Sequence, residues 1–249
     1  MAVPLRPGER RGNSGKNTFA AWPSPVGFCA WYEVIVTCSG RPADETGYLI
    51  NIKEIDAATR LAVLPVLERG VGGSASPEAL LPEMVRQLIR QLGSIVHFIE
   101  LCLTPYHAIA MHQADLHHVI VIERFEFAAA HRLHCQHLSD EENRAAFGKC
   151  NNPSGHGHNY RCEVRIRKPL DLDLDFVAIE QIVDAEVVQR FDHQHLDRDV
   201  PEFSSRTSSV ENIAQLCFSL LSQPIASCGA ELQQVRIWET EKTSCAYPA

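Results

Sequence analysis

The chain has 249 residues, 45% of them apolar and 22% charged, with 23 Lys and Arg against 31 Asp and Glu, a net charge of −8. No stretch approaches the roughly 20 apolar residues of a membrane-spanning helix, so no membrane is expected. The acidic balance, with no evident basic patch, speaks against a nucleic-acid partner.

That length suits one large domain or two of about 100 to 150 residues each. The nine cysteines are odd in number and lack the spacing of a disulfide framework, which points to a reducing, cytoplasmic setting. Residues 1–17 are polar and rich in Gly and Arg, and are expected to form a disordered tail. All 12 histidines fall between His97 and His195. Imidazole chemistry therefore belongs to the later part of the chain.

In chain order, the apolar, β-branched run at 28–38 predicts a strand, and the following SGRPADETG carries turn residues. Apolar residues at helical spacing (Ile52, Ile55, Leu61, Leu64) predict a helix over 50–67. Ser76-Pro77 is a helix start signal for 77–92, and VHFIELCL reads as a closing strand. The second half repeats this order: long strand candidates at 117–133 and 159–167, helices at 176–191 and 209–221, and a closing strand at 234–240. Tyr32 aligns with Tyr160, Ile55 with Ile179, and Glu100 with Glu239, as expected of a diverged tandem repeat joined near 114–118. Any two α+β domains could share that element order by chance.

In GHGHNYRCEVRI, His156 and His158 stand two apart at the start of a strand, and residues i and i+2 of a strand share a face. His131, at the end of the preceding strand, is the natural third ligand. Three imidazoles around a zinc ion leave a fourth position open, as in catalytic sites. Alone, His-x-His is more often a solvated loop pair. Cys150 sits six residues before His156 in a Gly/Asn/Pro/Ser loop, where a thiolate near a dication would be favoured; Cys38, Cys102, Cys162 and Cys217 fall on apolar periodic segments and read as inert core thiols. Asp192 beside His193 suits an acid/base pair, although such a dipeptide is commonly a surface turn. Glu239 beside Trp238 is either an edge-strand charge or an acceptor for a donor edge. His134 and His137 read as loop residues with a possible phosphate contact, because a strand continued past His131 turns residue 134 to the opposite face.

The ordered run FEFAAAHRL, SDEEN, FGKCNN, HGHNY, FDHQHLDRDVPEF, SSVEN and WET closely resembles the 6-pyruvoyltetrahydropterin synthases, in particular the animal type, over about half of the chain. The resemblance implies an α+β chain of two tandem tunnelling-fold modules, each an antiparallel sheet with two helices on one face. Residues 18–115 would form a degenerate module without a zinc site, and 116–249 the catalytic one. It implies Zn²⁺ held by His131, His156 and His158, Cys150 as catalytic base with Asp192 and His193 completing proton transfer, and Glu239, Glu211 and Ser209 binding the pterin. The implied reaction converts 7,8-dihydroneopterin triphosphate to 6-pyruvoyltetrahydropterin with release of triphosphate. A homo-oligomer is expected, a trimer of two-module chains by preference.

A related branch makes 6-carboxytetrahydropterin from the same substrate, typically with Cys-x3-His-Gly-His; the wider Cys150-x5-His156-Gly157-His158 favours the pyruvoyl reaction. A catalytically retired zinc scaffold is the third reading. Two departures from the family pattern stand out. The acidic KPLDLDLDF replaces the usual Gly and Thr-Gly hairpin, and the first half keeps a family-like SGRPADETGYLINIKEID hairpin and helix but has Trp31 where His-Asn would precede the tyrosine.

Overall fold

The computed structural model describes residues 1–4, 29–71 and 73–249. The chain divides into two compact units, residues 1–120 and 121–249. Residues 5–17 of the expected tail, and Phe28 at the start of the first predicted strand, lie outside the described residues. The tail expectation needs correction at its start, since β1 (Ala2–Pro4) pairs antiparallel with β2 (Cys29–Trp31).

In the first unit, β3 (Glu33–Cys38) is followed by α1 (Ile52–Val71), α2 (Pro77–Leu92), β4 (Val96–Cys102) and β5 (His107–His112). Helix α2 starts where Ser76 and Pro77 predicted it: Ser76 Oγ accepts from the Ala79 N–H, and proline takes the first turn, where a missing N–H costs nothing. Strands β3, β4 and β5 form an antiparallel ladder in that order. Leu81, Met84, Leu88, Ile99, Leu101, Ile109 and Met111 are fully buried in this unit. The segment SGRPADETGYLIN is not the expected hairpin. It holds turns closed by the bonds Gly47 N–H to the Ala43 carbonyl and Ala43 N–H to the Tyr48 carbonyl, with no strand of its own.

The second unit opens on β6 (His118–His131), a strand that begins just before the boundary. There follow α3 (Asp140–Phe147), β7 (His156–Pro169), α4 (Phe176–Val183), a π-helical turn over Asp184–Val188, α5 (Gln189–Phe191), β8 (Gln194–His195), α6 (Leu196–Asp199), α7 (Val210–Ser227), β9 (Glu231–Thr240) and β10 (Thr243–Tyr247). The sheet order is β10-β9-β7-β6, with β8 added parallel to β6 at Ala129 and Ala130. The SDEEN motif proves to be a capping box: Ser139 and Glu142 bond reciprocally at the start of α3. The acidic KPLDLDLDF connection ends in a second cap, with Asp175 accepting from Val177 and Ala178 N–H groups at 3.0 and 3.3 Å.

One face of this sheet is the core. Alternation along β7 buries Tyr160, Cys162, Val164 and Ile166 together, against Phe127 of β6 and Val235 and Ile237 of β9. Helices α4 and α7 cover that face with Ile179, Val183, Ile213 and Leu221. The same alternation continues outward to His158 and His156 on β7 and to His131 on β6. The three histidines thus take the last places of the core-facing rows.

Both units share the plan of a strand, two principal helices and two further antiparallel strands, β3-β4-β5 matching β7-β9-β10. The proposed residue correspondence is corrected by register. Ile35 opposes Glu100, while Trp238 opposes Arg161, which puts Glu239 opposite Tyr160. If Glu100 matches Glu239, the partner of Tyr160 is Ile35, so Tyr32 and Glu100 cannot both be counterparts.

Truncating Leu221, fully buried on α7, to alanine should remove about 2–5 kcal/mol from the second unit. Urea unfolding followed by tryptophan fluorescence measures this, and a loss below about 1 kcal/mol would contradict the packing described.

Candidate metal centre

His131, His156, His158 and Glu239 offer four ligand atoms that all lie within 4.8 Å of one another. Each is delivered by the strand alternation described above, with Glu239 continuing the Val235–Ile237 row of β9. His131 is fully buried, and the other three are partly buried. Its Nδ1 donates to the Ser208 carbonyl at 2.8 Å, which turns Nε2 into the cluster. Nε2 then lies 3.1 Å from His156 Nε2 and 3.1 Å from Glu239 Oε1. His158 Nε2 is 3.3 Å from the same carboxylate oxygen but outside hydrogen-bonding geometry.

The residues fit a metal ion. His156 Nδ1 and His158 Nε2 are buried nitrogens with no hydrogen-bond partner, a costly arrangement unless something else binds there. Imidazole nitrogens with one carboxylate oxygen form a donor set suited to zinc.

The charges are coupled. Burial lowers the pKa of His156 and of His158, and the neighbouring His131 adds to it. Burial opposes protonation of His131 too, but hydrogen bonds to Glu239 and to the Ser208 carbonyl, with the charges of Glu239 and Asp197, raise it overall. Glu239 is lowered, chiefly by its bond to His131. In the metal-free cluster His131 and Glu239 thus favour each other's charged form. Beneath it, burial and then the charges of Glu239, Asp197 and Cys150 drive the Tyr160 phenol far up.

Further out, Asp197 accepts from the Arg132 N–H at 2.6 Å and from the Ser208 hydroxyl at 2.7 Å, fixing the segment whose carbonyl holds His131. Gly155, just before His156, has φ +72°, and a Cβ there would meet His195 Nε2 at 2.8 Å and the His131 carbonyl at 2.9 Å. Only glycine admits that approach. Ser208, Asp197 and His195 were not singled out from the sequence. Ser208 acts through its backbone, which carries no residue signal, and Asp197 lies in a run, DRD, that reads as surface.

Cys150 is half-buried on a 3-10 turn, Gly148–Asn151, whose carbonyl at Cys150 accepts from the Leu133 N–H at 2.9 Å. Strand β6 stops at His131 instead of running to 133, because Arg132 and Leu133 bond to Asp197 and Cys150 and leave the ladder. His134 consequently lies in a loop. Asp192 and His193 clasp the Ala128 backbone: Asp192 Oδ1 accepts its N–H at 2.8 Å, and the His193 N–H donates to its carbonyl at 2.6 Å. His193 has φ +58°, and its ring, 2.7 Å from Asp192, is 83% exposed. The bond from the Ala128 N–H, then that to His193, lowers the Asp192 carboxyl. His193 lines an open cleft of about 630 Å³ with His158 and His195, yet neither it nor Asp192 makes a hydrogen bond to the four-residue cluster. Ser209 caps α7 through Asn212 at 3.4 Å, and Glu211 is exposed in its first turn; neither joins the cluster.

Residues 120–249 match the family model described as 6-pyruvoyl tetrahydropterin synthase. Over 131 residues the chain is 37% identical to the human protein named 6-pyruvoyl tetrahydrobiopterin synthase, covering 51% of this chain and 89% of that one. The Drosophila melanogaster protein of the same name is 38% identical over 128 residues, 50% of this chain and 76% of the relative. The solved structure of Caenorhabditis elegans 6-pyruvoyl tetrahydropterin synthase is matched with a TM-score of 0.50 at 37% identity, over 52% of this chain and 94% of the worm protein.

The raised His131 contributes stability below its ordinary value, and this is lost as pH rises through the raised one; the lowered Glu239 contributes above its ordinary value and loses it as pH falls through the lowered one. Their mutual support spans the interval between. A metal ion must displace the His131 proton, so zinc titrated into metal-free protein should bind more tightly as pH rises toward that raised value, with net proton release. Calorimetry in two buffers of different ionisation enthalpy reads this directly, and proton uptake would contradict it.

Proposed function

Since the chain belongs to the 6-pyruvoyl tetrahydropterin synthase family, we propose that it converts 7,8-dihydroneopterin triphosphate to 6-pyruvoyltetrahydropterin and releases inorganic triphosphate. The observation that carries this is the convergence of His131, His156, His158 and Glu239 in the matched half of the chain. His131, His156 and His158 would hold zinc, which when bound supplies Lewis acidity toward the side-chain oxygens of the substrate.

The chain's own groups do the rest. Cys150, on a turn anchored to Leu133, takes the carbon-bound proton beside the polarised oxygen as general base. Asp192 holds Nδ1 of His193, leaving Nε2 at the outer surface to carry protons. With His131 no longer needing it, the Glu239 carboxylate accepts the N–H donors of the pterin edge. Ser209 and Glu211 are assigned to the pterin pocket at the start of α7. Oxidation of the side chain is matched by reduction of the ring in the same molecule, so no redox cofactor enters.

The exposure of His193 supports a site completed by another copy of the chain. In this reading the first unit is a second tunnelling-fold module without a metal centre, and three chains form a trimer of two-module subunits. Its edge strand β3 leaves Ile35 43% exposed and Trp31, just before it, 44% exposed, as suits an edge covered on assembly. No disulfide joins the described cysteines, and no helix among the described residues is long and apolar enough to cross a membrane.

Zinc-loaded protein incubated with 7,8-dihydroneopterin triphosphate should yield the pyruvoyl product and triphosphate, read by chromatography and mass spectrometry. Cys150→Ala should lower kcat by roughly 10²- to 10⁴-fold with zinc content unchanged. Acetaldehyde with a carboxy product, or no turnover by intact protein, would refute the reaction; full activity of the variant would refute the base. Metal analysis should find one zinc per chain, and two would refute a metal-free first unit.

A further inference from the structure

The loop after β6 and the segment between α6 and α7 enclose a second cavity of about 430 Å³ within the second unit. Its lining includes Arg132, His134, His137, Asp197, Arg198 and Arg206. Three guanidinium groups thus face one carboxylate in a chain whose net charge is −8. The sequence shows no such patch, because these arginines are spread over 75 positions and are gathered only by the fold.

The positive charge is not neutralised locally. Both Asp197 oxygens are engaged, by the Arg132 N–H and the Ser208 hydroxyl. Arg132 donates its side chain only to neutral acceptors, the Asn151 carbonyl at 3.0 Å and Asn151 Oδ1 at 3.4 Å. Arg198 likewise reaches the Pro153 carbonyl at 3.1 Å. Arg206 lies over the Phe203 ring, 5.5 Å from its centroid, and makes no ion pair among the described residues. The Asn151 amide donates to His134 Nδ1 at 3.0 Å, which leaves Nε2–H as that ring's donor. A concave pocket lined by three arginines and N–H donors, whose one carboxylate already accepts from the Arg132 N–H and the Ser208 hydroxyl, suits a compact polyanion bearing several phosphoryl oxygens.

Its position narrows the choice. Arg132 directly follows His131, and the Ser208 whose carbonyl holds His131 donates its hydroxyl to Asp197 in the pocket wall. His195 lines both this cavity and the cleft that contains His158. We propose that this arginine pocket is the subsite for the triphosphate tail of the substrate, held by Arg132, Arg198 and Arg206 beside the metal centre. This rests on the reaction proposed above, whose substrate carries that tail.

Inorganic tripolyphosphate is the probe, titrated calorimetrically into the zinc-loaded full chain. It should bind, with affinity falling as salt rises, and should compete with the substrate in turnover. Arg198→Ala and Arg206→Ala should each weaken its binding about tenfold to hundredfold and raise KM more than they lower kcat, with zinc content and circular dichroism unchanged. Arg206→Lys should recover part of the affinity and guards against a folding defect. Unaltered tripolyphosphate affinity in both alanine variants would overturn the assignment while leaving the reaction intact. Binding without competition would overturn it as well, by marking a site for free polyphosphate. If intact protein binds the probe through Arg198 and Arg206 but turns over no substrate, the anion pocket stands and the proposed reaction falls.

Discussion

The bond from His131 Nδ1 to the Ser208 carbonyl is the constraint on which the rest of the site depends. A fully buried imidazole has to place both nitrogens, and one backbone carbonyl settles which nitrogen turns outward. That carbonyl lies two residues before α7, so the orientation of a metal-binding group is tied to the start of the longest helix of the second unit. Asp197 braces the same segment through the Ser208 hydroxyl and braces the end of β6 through the Arg132 N–H. Core helix, strand end and ligand are fixed by one short chain of bonds.

This arrangement explains why the cluster tolerates four ionisable groups in little space. Glu239 and His131 support each other's charge, while burial biases His156 and His158 toward the neutral form.

The convergence of the three histidines was legible in the sequence because strand alternation maps directly onto face. His-x-His at the start of β7 and His131 at the end of β6 extend rows that begin at Ile166 and Phe127, and the apolar members of those rows announce the strands. Helix α2 was legible for an equally local reason, the Ser76-Pro77 start. What stayed hidden was non-local or carried by backbone: the Ser208 carbonyl, the capping role of SDEEN, the added strands β5 and β10, and the π-helical turn inside the helix predicted over 176–191. Glu239 stood out in the sequence as a candidate carboxylate, but its place within 4.8 Å of the three imidazoles depends on the register of β9 against β7. Periodicity reports faces and does not report register between strands distant in sequence.

Register also limits what the first unit can be. It repeats the order of strands and helices, yet Glu100 opposes Ile35 where Glu239 falls opposite Tyr160. A slip of this size moves the carboxylate along its neighbour strand, so restoring histidines beside Tyr32 would not rebuild the second unit's centre around Glu100. The core of the first unit, from Leu81 to Met111, is as completely buried as that of the second. Packing in the first unit is therefore complete without polar rows like those that extend the second unit's core into the candidate metal centre. Core burial needs only apolar residues of the right period, whereas the site needs three strands in one particular register, a glycine at 155 and a carbonyl at 208.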